Sequence, residues 1–291
     1  MTTPLRKGTV KANGLEFAYL EQGSGPLVLL MHGFPDNAHT WSYQMPALAD
    51  AGYRAVAPFL RGYPPTQIPE DGYFDAATLA TDAKELILAL NDVEPAYYVG
   101  TDWGTLTAFP LMQAYPEVVR RSVVMAVPYP LAAAMIVTKP ELIHHTFHVW
   151  FQQLPGIAEA AISAGDFAYI EYLWRFWEPG FEDPQHIASV KRTLATDGAL
   201  TAALGYYRAM FDPEKSDPDL ADVRAKFGLP MTVPTLAIFG MDDPLGAFAE
   251  EHRPFFSGEL RIERPDGGQH FIHRSRPAVI NEMILSWLSA G

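Results

Sequence analysis

The sequence predicts an α/β fold with a mostly parallel central sheet flanked by helices and an inserted helical cap. Short apolar segments typical of strands alternate with segments at helical spacing through residues 1–128 and again through 228–291, which predicts right-handed βαβ units. Residues 129–227 lack this alternation and carry aromatic-rich helical stretches punctuated by prolines. We therefore expect the first and last segments to form one core and the middle segment to form the cap.

The first segment begins with a predicted hairpin. Residues 9–12 and 15–19 are strand-like and are joined by Asn13-Gly14, a dipeptide typical of tight hairpin turns. Residues 26–31 are continuously apolar, as expected for a central strand covered on both faces. This strand leads directly into His32-Gly33-Phe34-Pro35.

The remaining elements follow from hydrophobic spacing and turn residues. Before the cap we expect helices at about 41–51, 76–90 and 105–115, and strands at about 53–58, 97–99 and 122–127. Within the cap, helical spacing is clearest at about 167–177 and 201–211. After the cap we expect strands at about 233–240 and 260–264 and a helix at about 277–288.

The composition restricts the class of protein. With 48% hydrophobic and 19% charged residues, the 291-residue chain is predicted to be globular. Its net charge of -13 argues against binding nucleic acid or an anionic membrane surface. The absence of cysteine excludes disulfides and zinc–thiolate sites. No apolar run approaches the roughly 20 residues of a membrane span, and no signal-peptide core is present, so we expect a cytoplasmic protein.

The most informative motif is Val99-Gly100-Thr101-Asp102-Trp103-Gly104. It has the G-x-S-x-G form of a nucleophile elbow, with aspartate in the place of serine. A carboxylate is a poor nucleophile for acyl transfer, but it can displace a leaving group from an sp3 carbon and form an alkyl ester. Asp102 is therefore a candidate nucleophile. The alternative is an acidic residue placed at a helix N-terminus because the helix dipole favours it there.

Several motifs in order resemble the α/β-hydrolase family, and within it the epoxide hydrolase and dehalogenase branch that uses an aspartate nucleophile. His32-Gly33-Phe34-Pro35 matches the H-G-x-P loop of that branch, Arg61-Gly62-Tyr63 its R-G-Y turn, and residues 100–104 its elbow. Gly240-Met241-Asp242-Asp243 and Gly267-Gly268-Gln269-His270-Phe271 fall where the family places its acid and its histidine. The order nucleophile, acid, histidine is the one that the fold requires.

The resemblance implies roles in substrate binding. The backbone N–H groups of Phe34 and Trp103 are expected to stabilise an oxyanion, and His32 is expected beside them in the same loop. The indole of Trp103 is expected either to touch a halide or to line the cavity, with packing under the cap as the alternative. Trp150 and Phe151 are expected to contact an apolar substrate, although aromatic residues at helical spacing also form cores.

The resemblance also implies a water-activating base. His270 is expected to deprotonate the water that cleaves the ester on Asp102, because its near-neutral pKa suits that task. Asp243 is expected to orient His270. The neighbouring alternatives are His273 and Asp242, and adjacent residues of an extended segment point in different directions.

Opening an epoxide requires hydrogen-bond donors on the cap side. Epoxide hydrolases of this fold use two cap tyrosines, and Leu204-Gly205-Tyr206-Tyr207-Arg208 resembles the segment bearing the second, which places Tyr207 in that role. Seven positions before Pro155, where the first tyrosine is expected, the chain has His148. A histidine and tyrosine pair is found in a bacterial epoxide hydrolase subgroup that resembles the virulence factor Cif, and imidazole can donate as phenol can.

Fluoroacetate dehalogenases also carry a histidine at this point. They follow it with tryptophan and follow their nucleophile with arginine, whereas this chain has Val149 and Trp103. Both differences argue against defluorination. The alternative for His148 is packing within a histidine-rich run that includes His144 and His145.

Three hypotheses about function follow. The first is hydrolysis of an epoxide to a vicinal diol through an ester on Asp102. The second is haloalkane or haloacid dehalogenation by the same route, although no second halide-binding tryptophan or asparagine is located. The third is a binding protein without activity, against which the combination of Asp102 and His270 argues. The expected partners are a small apolar epoxide-bearing substrate and water, with no cofactor or metal, and a homodimer is left open.

Overall fold

The computed structural model describes residues 4–91, 95–130 and 138–290. Its centre is an eight-stranded sheet with the order β1-β2-β4-β3-β5-β6-β7-β8. The strands are β1 (Arg6–Ala12), β2 (Leu15–Gly23), β3 (Leu27–Met31), β4 (Arg54–Pro58), β5 (Ala96–Thr101), β6 (Val119–Met125), β7 (Thr235–Ile238) and β8 (Leu260–Glu263). The β1–β2 and β2–β4 pairs are antiparallel and the other neighbouring pairs are parallel, which confirms the predicted mostly parallel sheet.

Helices flank this sheet and also fill the segment between β6 and β7. The helices outside that segment are α1 (Gln44–Asp50), α2 (Ala76–Leu90), α3 (Trp103–Ala114), α10 (Ile272–Ser275) and α11 (Pro277–Ser289). The helices inside it are α4 (Pro140–His145), α5 (Phe147–Phe151), α6 (Ile157–Trp177), α7 (Pro184–Leu194), α8 (Ala199–Ala209) and α9 (Ala221–Arg224). Within the described ranges, no helix is both long and apolar enough to cross a membrane.

The two central strands place the motif loops next to each other. Every residue of β3 and of β5 is buried, as expected for central parallel strands that are covered on both faces. The two strands are parallel and in register, with Met31 opposite Gly100. The loop after β3 and the elbow after β5 therefore leave the same edge of the sheet side by side.

Some element boundaries differ from those expected. The strand expected at 122–127 is β6, Val119–Met125, which begins directly after a 3-10 helix at Pro116–Val118. The helix expected from residue 105 begins at Trp103, because the elbow passes directly into it. Helical residues before β4 divide into a 3-10 helix, Ala38–Ser42, and α1. Side-chain patterns report burial and do not locate the first backbone hydrogen bond of an element.

The helical segment between β6 and β7 packs directly against the core loops. The indole N–H of Trp174 in α6 donates to the Pro35 carbonyl at 3.0 Å, and its ring stacks on Phe271 at 3.7 Å. His186 of α7 lies 2.6 Å from Asp36. We keep the name cap for the predicted segment 129–227, of which residues 131–137 lie outside the described ranges. The exact boundaries stay a prediction.

Candidate active site

Asp102 occupies a strained turn between β5 and α3. Its backbone has φ +51° and ψ -116°, a conformation that residues other than glycine rarely adopt. Two neighbouring glycines make this turn sterically feasible. A Cβ at Gly104 would lie 2.0 Å from the Met31 carbonyl oxygen, and a Cβ at Gly100 would lie 2.5 Å from the Gly104 carbonyl group. The motif glycines are thus required by the close approach of β3, β5 and α3.

The two oxygens of the Asp102 carboxylate have different surroundings. Oδ1 accepts the backbone N–H of Phe34 at 2.7 Å, whereas Oδ2 lies 3.5 Å from Nε2 of His270. A Cβ at Gly33 would lie 2.1 Å from Oδ1, so only glycine fits before Phe34. Trp103 is the first residue of α3, where backbone N–H groups lack intrahelical partners. One oxygen therefore accepts a hydrogen bond from one of the two predicted oxyanion donors, the Phe34 N–H, and the other oxygen faces the histidine.

His270 is buried and lies beside the carboxylate of Asp102. Burial lowers the pKa of its imidazole, but the adjacent carboxylate of Asp102 outweighs burial and raises that pKa above its ordinary value. The charge of Asp243 acts in the same direction. The imidazole therefore keeps its proton to higher pH for as long as Asp102 is an ionised carboxylate.

Asp243 is the member of the Asp242–Asp243 pair that reaches this region. Its side chain is buried, whereas Asp242 is exposed. Oδ1 accepts the Leu245 backbone N–H at 2.9 Å, and Oδ2 has no hydrogen-bond partner among the described residues. Burial raises the pKa of Asp243 to about 6, and the charge of His270 opposes this rise. The charges of the two side chains therefore influence each other, but no hydrogen bond or ion pair joins them among the described residues, and the orienting role of Asp243 stays a prediction.

Two cap side chains point into the same site. Tyr207 of α8 and His148 of α5 are buried, with ring centroids 5.4 Å apart. The Tyr207 hydroxyl and Nδ1 of His148 have no hydrogen-bond partner in the part of the chain that the structure describes. Burial raises the pKa of Tyr207 well above its ordinary value and lowers that of His148 well below it. Both groups are therefore neutral near pH 7 and can donate a hydrogen bond.

These groups surround a cavity of about 390 Å³ between core and cap. Asp102 and His270 line it from the core, and His148 and Tyr207 line it from the cap. Most of the other lining residues are apolar: Leu106, Val127, Pro128, Pro130, Val149, Trp150, Trp177, Met210, Phe211 and Leu245. The cavity thus suits a small apolar molecule with a polar atom that can accept hydrogen bonds.

The predicted aromatic contacts divide into two groups. Trp103 and Trp150 line the cavity, and Trp150 stacks on Phe211 at 5.4 Å. The indole N–H of Trp103 has no hydrogen-bond partner within the described ranges. The ring of Phe34 packs against Tyr207, and Phe151 packs against Tyr169 instead of lining the cavity.

Two histidines of the motif segments face away from the cavity. His32, which we expected beside the substrate, accepts the Leu60 backbone N–H at Nε2 and contacts the Gly33 carbonyl through Nδ1. Both ring nitrogens are thus committed to holding the loop, and His32 is not a substrate contact. His273 lies 2.7 Å from the Thr40 hydroxyl and is likewise committed to the core.

Two residues near the site, His145 and Glu178, were not predicted, and Trp177 was expected only as one of several cap aromatics that suggest an apolar substrate. His145 lines the cavity and its Nε2 lies 3.9 Å from Oδ1 of Asp243, although its sequence signal was only that of a histidine-rich run. Trp177 and Glu178, at the end of α6, contact the segment around His270. No motif marks this pair, because their role depends on a contact between distant parts of the chain.

The described residues contain no group of three or more histidine, cysteine or acidic side chains that could hold a metal ion. A carboxylate, an imidazole and two neutral donors surround one cavity. This set can carry out nucleophilic attack, protonation of a leaving oxygen and activation of water.

Comparisons with known proteins agree with this geometry. The AB hydrolase superfamily protein YfhM of Bacillus subtilis is 31% identical over 96% of this chain and 96% of its own length. Epoxide hydrolase 3 of Xenopus tropicalis is 29% identical over 96% of this chain and 76% of its own length. The crystal structure of epoxide hydrolase A from Mycobacterium thermoresistibile has a TM-score of 0.77 at 26% identity, covering 98% of each chain. The model of the α/β hydrolase fold family matches residues 26–273, and the chain therefore belongs to the α/β-hydrolase family.

Proposed function

We propose that this protein is an epoxide hydrolase that opens an epoxide to a vicinal diol through a covalent alkyl ester on Asp102. The observation that carries this proposal is the pair of unpartnered donors, Tyr207 and His148, in the same cavity as the Asp102 carboxylate. An epoxide presents its ring oxygen and an electrophilic carbon close together, which suits a nucleophile on one wall and donors on the other. Similarity to epoxide hydrolase 3 of Xenopus tropicalis supports the same class.

The first step is attack by Asp102 on an epoxide carbon. Oδ2 is the attacking oxygen, because Oδ1 is already held by the Phe34 N–H. As the new C–O bond forms, the C–O bond of the ring breaks and its electron pair goes to the epoxide oxygen. That oxygen takes the proton of Tyr207, and His148 donates a hydrogen bond to it. The products are a hydroxyl group and an ester.

The second step is hydrolysis of the ester. Alkylation removes the negative charge of Asp102, which in the free enzyme helps to raise the pKa of His270. The pKa of His270 therefore falls after the first step, and more of the imidazole is in the neutral form that can accept a proton. His270 takes a proton from water, whose oxygen attacks the ester carbonyl carbon while Phe34 stabilises the charge on Oδ1. The bond from that carbon to Oδ2 breaks, and Oδ2 leaves as the second hydroxyl with the proton of His270. The regenerated carboxylic acid ionises and restores the proton of Tyr207.

Trapping the ester tests this proposal. His270→Gln removes the base and leaves the nucleophile, so incubation with styrene oxide should leave a covalent adduct that intact-protein mass spectrometry detects and peptide mapping locates at Asp102. The matched control is His144→Gln, because His144 is an exposed cap histidine. This variant should turn over with no adduct.

Parallel assays with bromobutane and fluoroacetate separate the related chemistries. Diol formation without halide release supports the proposal. Halide release without diol formation would identify a dehalogenase that uses the same nucleophile. Wild-type diol formation with no adduct in His270→Gln would contradict the two-step scheme.

A further inference from the structure

The segment that carries His270 is held by the cap through consecutive backbone amides. The Gln269 N–H donates to Oε1 and Oε2 of Glu178 at 3.0 and 2.9 Å, and the Phe271 N–H donates to Oε2 at 2.9 Å. Between them, the His270 N–H donates to the Trp177 carbonyl at 3.2 Å. The backbone of the candidate base is thus anchored to two adjacent residues at the end of α6.

Glu178 is an unusual residue for a purely structural contact. It is only 3% exposed, and burial raises the pKa of its carboxyl. The N–H groups of Gln269 and Phe271 oppose that rise, as does the charge of His270. A buried carboxylate is costly unless it is well hydrogen-bonded, and a neutral side chain could accept the same two amides. The stability of the fold alone therefore does not explain why a carboxylate occupies position 178.

We propose that Glu178 is a positioning residue that fixes the His270 backbone for hydrolysis of the ester on Asp102. The proposal rests on the proposed function, because it assigns Glu178 to the second of the two steps. Glu178 does not line the cavity and acts on the substrate only through His270.

Geometry explains why such an anchor matters. Nε2 of His270 lies 3.5 Å from Oδ2 of Asp102, so this contact alone does not fix the position of the imidazole. Activation of water requires the base, the water and the ester carbon to align closely, and a misplacement of about 1 Å can lower a rate about 10²-fold. Attack by Asp102 on the epoxide requires no movement of His270. Loosening the anchor should therefore slow hydrolysis more than alkylation.

Charge explains why the anchor is a carboxylate. The negative charge of Glu178 favours the protonated form of His270. After Asp102 is esterified, Glu178 and Asp243 are the carboxylates that still stabilise the imidazolium formed when His270 takes a proton from water. The titratable groups that interact with His270 are Asp102, Asp243, Glu178, His145, His148 and His273.

Kinetics of Glu178→Ala test the anchor. This variant loses both the hydrogen bonds and the charge, so kcat should fall by about 10²-fold with styrene oxide. KM should fall with it, and kcat/KM should stay within about threefold, because kcat/KM reports alkylation when hydrolysis is slow. Mass spectrometry should show the alkyl-enzyme accumulating during turnover. The control Glu182→Gln removes an exposed cap carboxylate and should match the wild type.

Glu178→Gln separates the charge from the hydrogen bonds. Its amide oxygen can take the place of Oε2 and accept both amides, so kcat should recover to within about tenfold of the wild type. Loss of the negative charge lowers the pKa of His270, so the acid limb of the kcat profile should move to lower pH. A Glu178→Gln profile identical to the wild type would contradict the role of the charge.

Hydrogen exchange tests the anchor without any substrate. The amides of Gln269, His270 and Phe271 should exchange faster in Glu178→Ala than in the wild type, with Glu178→Gln intermediate. If the wild type forms no diol, the proposed function fails, but the exchange experiment still shows whether Glu178 holds the backbone around His270. Wild-type exchange in a folded Glu178→Ala variant, or equal loss of kcat and kcat/KM, would overturn the proposal.

Discussion

The core and the cap contribute to one cavity in different ways. On the core side, the position of Asp102 is imposed by backbone contacts, since a strained turn, close-packed glycines and the Phe34 N–H leave the carboxylate little freedom. On the cap side, Tyr207 and His148 are held by packing of aromatic rings, and the Tyr207 hydroxyl and Nδ1 of His148 have no hydrogen-bond partner among the described residues. The proposed nucleophile is thus held in place by the backbone in the absence of substrate, whereas the proposed donors have no acceptor among the described residues.

The two sides of the cavity therefore differ in how much sequence change they can tolerate. A single methyl group added at Gly33 or Gly104 would collide with neighbouring atoms, so the core site tolerates little variation. The cap donors are side chains on helix surfaces, and their identity can change without a change in backbone. Under the proposed mechanism, Asp102 determines the type of intermediate, and the cap donors determine which leaving group is assisted.

The largest expected effect is loss of the core nucleophile. Asp102→Ala should lower diol formation from styrene oxide by about 10⁴-fold or more, because no other carboxylate lines the cavity among the described residues. The control variant is Asp242→Ala, because Asp242 is the exposed neighbour of Asp243, and it should keep wild-type activity. Substantial diol formation by a folded Asp102→Ala enzyme would show that the core does not supply the nucleophile.

Removing a cap donor should have a smaller and more selective effect. Tyr207→Phe keeps the ring packing and removes the hydroxyl, so single-turnover alkylation should slow by about 10²-fold while hydrolysis of the trapped ester is unchanged. Rapid-quench mass spectrometry measures both rates. The matched control is Tyr206→Phe, because the Tyr206 hydroxyl donates to the Arg61 carbonyl outside this cavity. Equal slowing of alkylation and of ester hydrolysis in Tyr207→Phe would contradict the proposal that Tyr207 assists only the first step.

The smallest expected effect is on the contact between the two regions. Trp174→Phe removes the indole hydrogen bond to Pro35 and part of the stacking on Phe271, so unfolding free energy should fall by about 1–2 kcal/mol. Urea denaturation measures this change. Tyr172→Phe, on the exposed side of the same helix, should change it by less than about 0.5 kcal/mol. An unchanged midpoint in Trp174→Phe would show that this contact does not stabilise the interface.

The sequence was sufficient to predict the fold class, and the loop that carries Phe34 lies beside the elbow that carries Asp102, as expected. Buried parallel strands such as β3 leave continuous apolar runs, and the elbow glycines are dictated by local sterics, so both are visible in a short window. Tyr207 and His148 were placed through spacing within the resemblance. Their positions in the cavity agree with that placement, and their roles stay predictions.

The remaining features depend on contacts between distant segments. His32 carried a motif but its ring nitrogens turn away to the Leu60 and Gly33 backbone, which no local pattern reveals. Glu178 has no motif, and its partners lie 91 and 93 positions further along the chain. Such contacts depend on how the cap packs against the core.

The unequal surroundings of the two Asp102 oxygens have a consequence for the identity of the protein's own atoms. Under the proposed mechanism, Oδ2 leaves with the product, while Oδ1 stays behind against the Phe34 N–H. Water then supplies the missing oxygen of the carboxylate. Each catalytic cycle thus exchanges one atom of the polypeptide for one from solvent. A molecule that has turned over in isotopically labelled water is therefore heavier than one that has not, and it keeps this extra mass until a later turnover in unlabelled water removes the label.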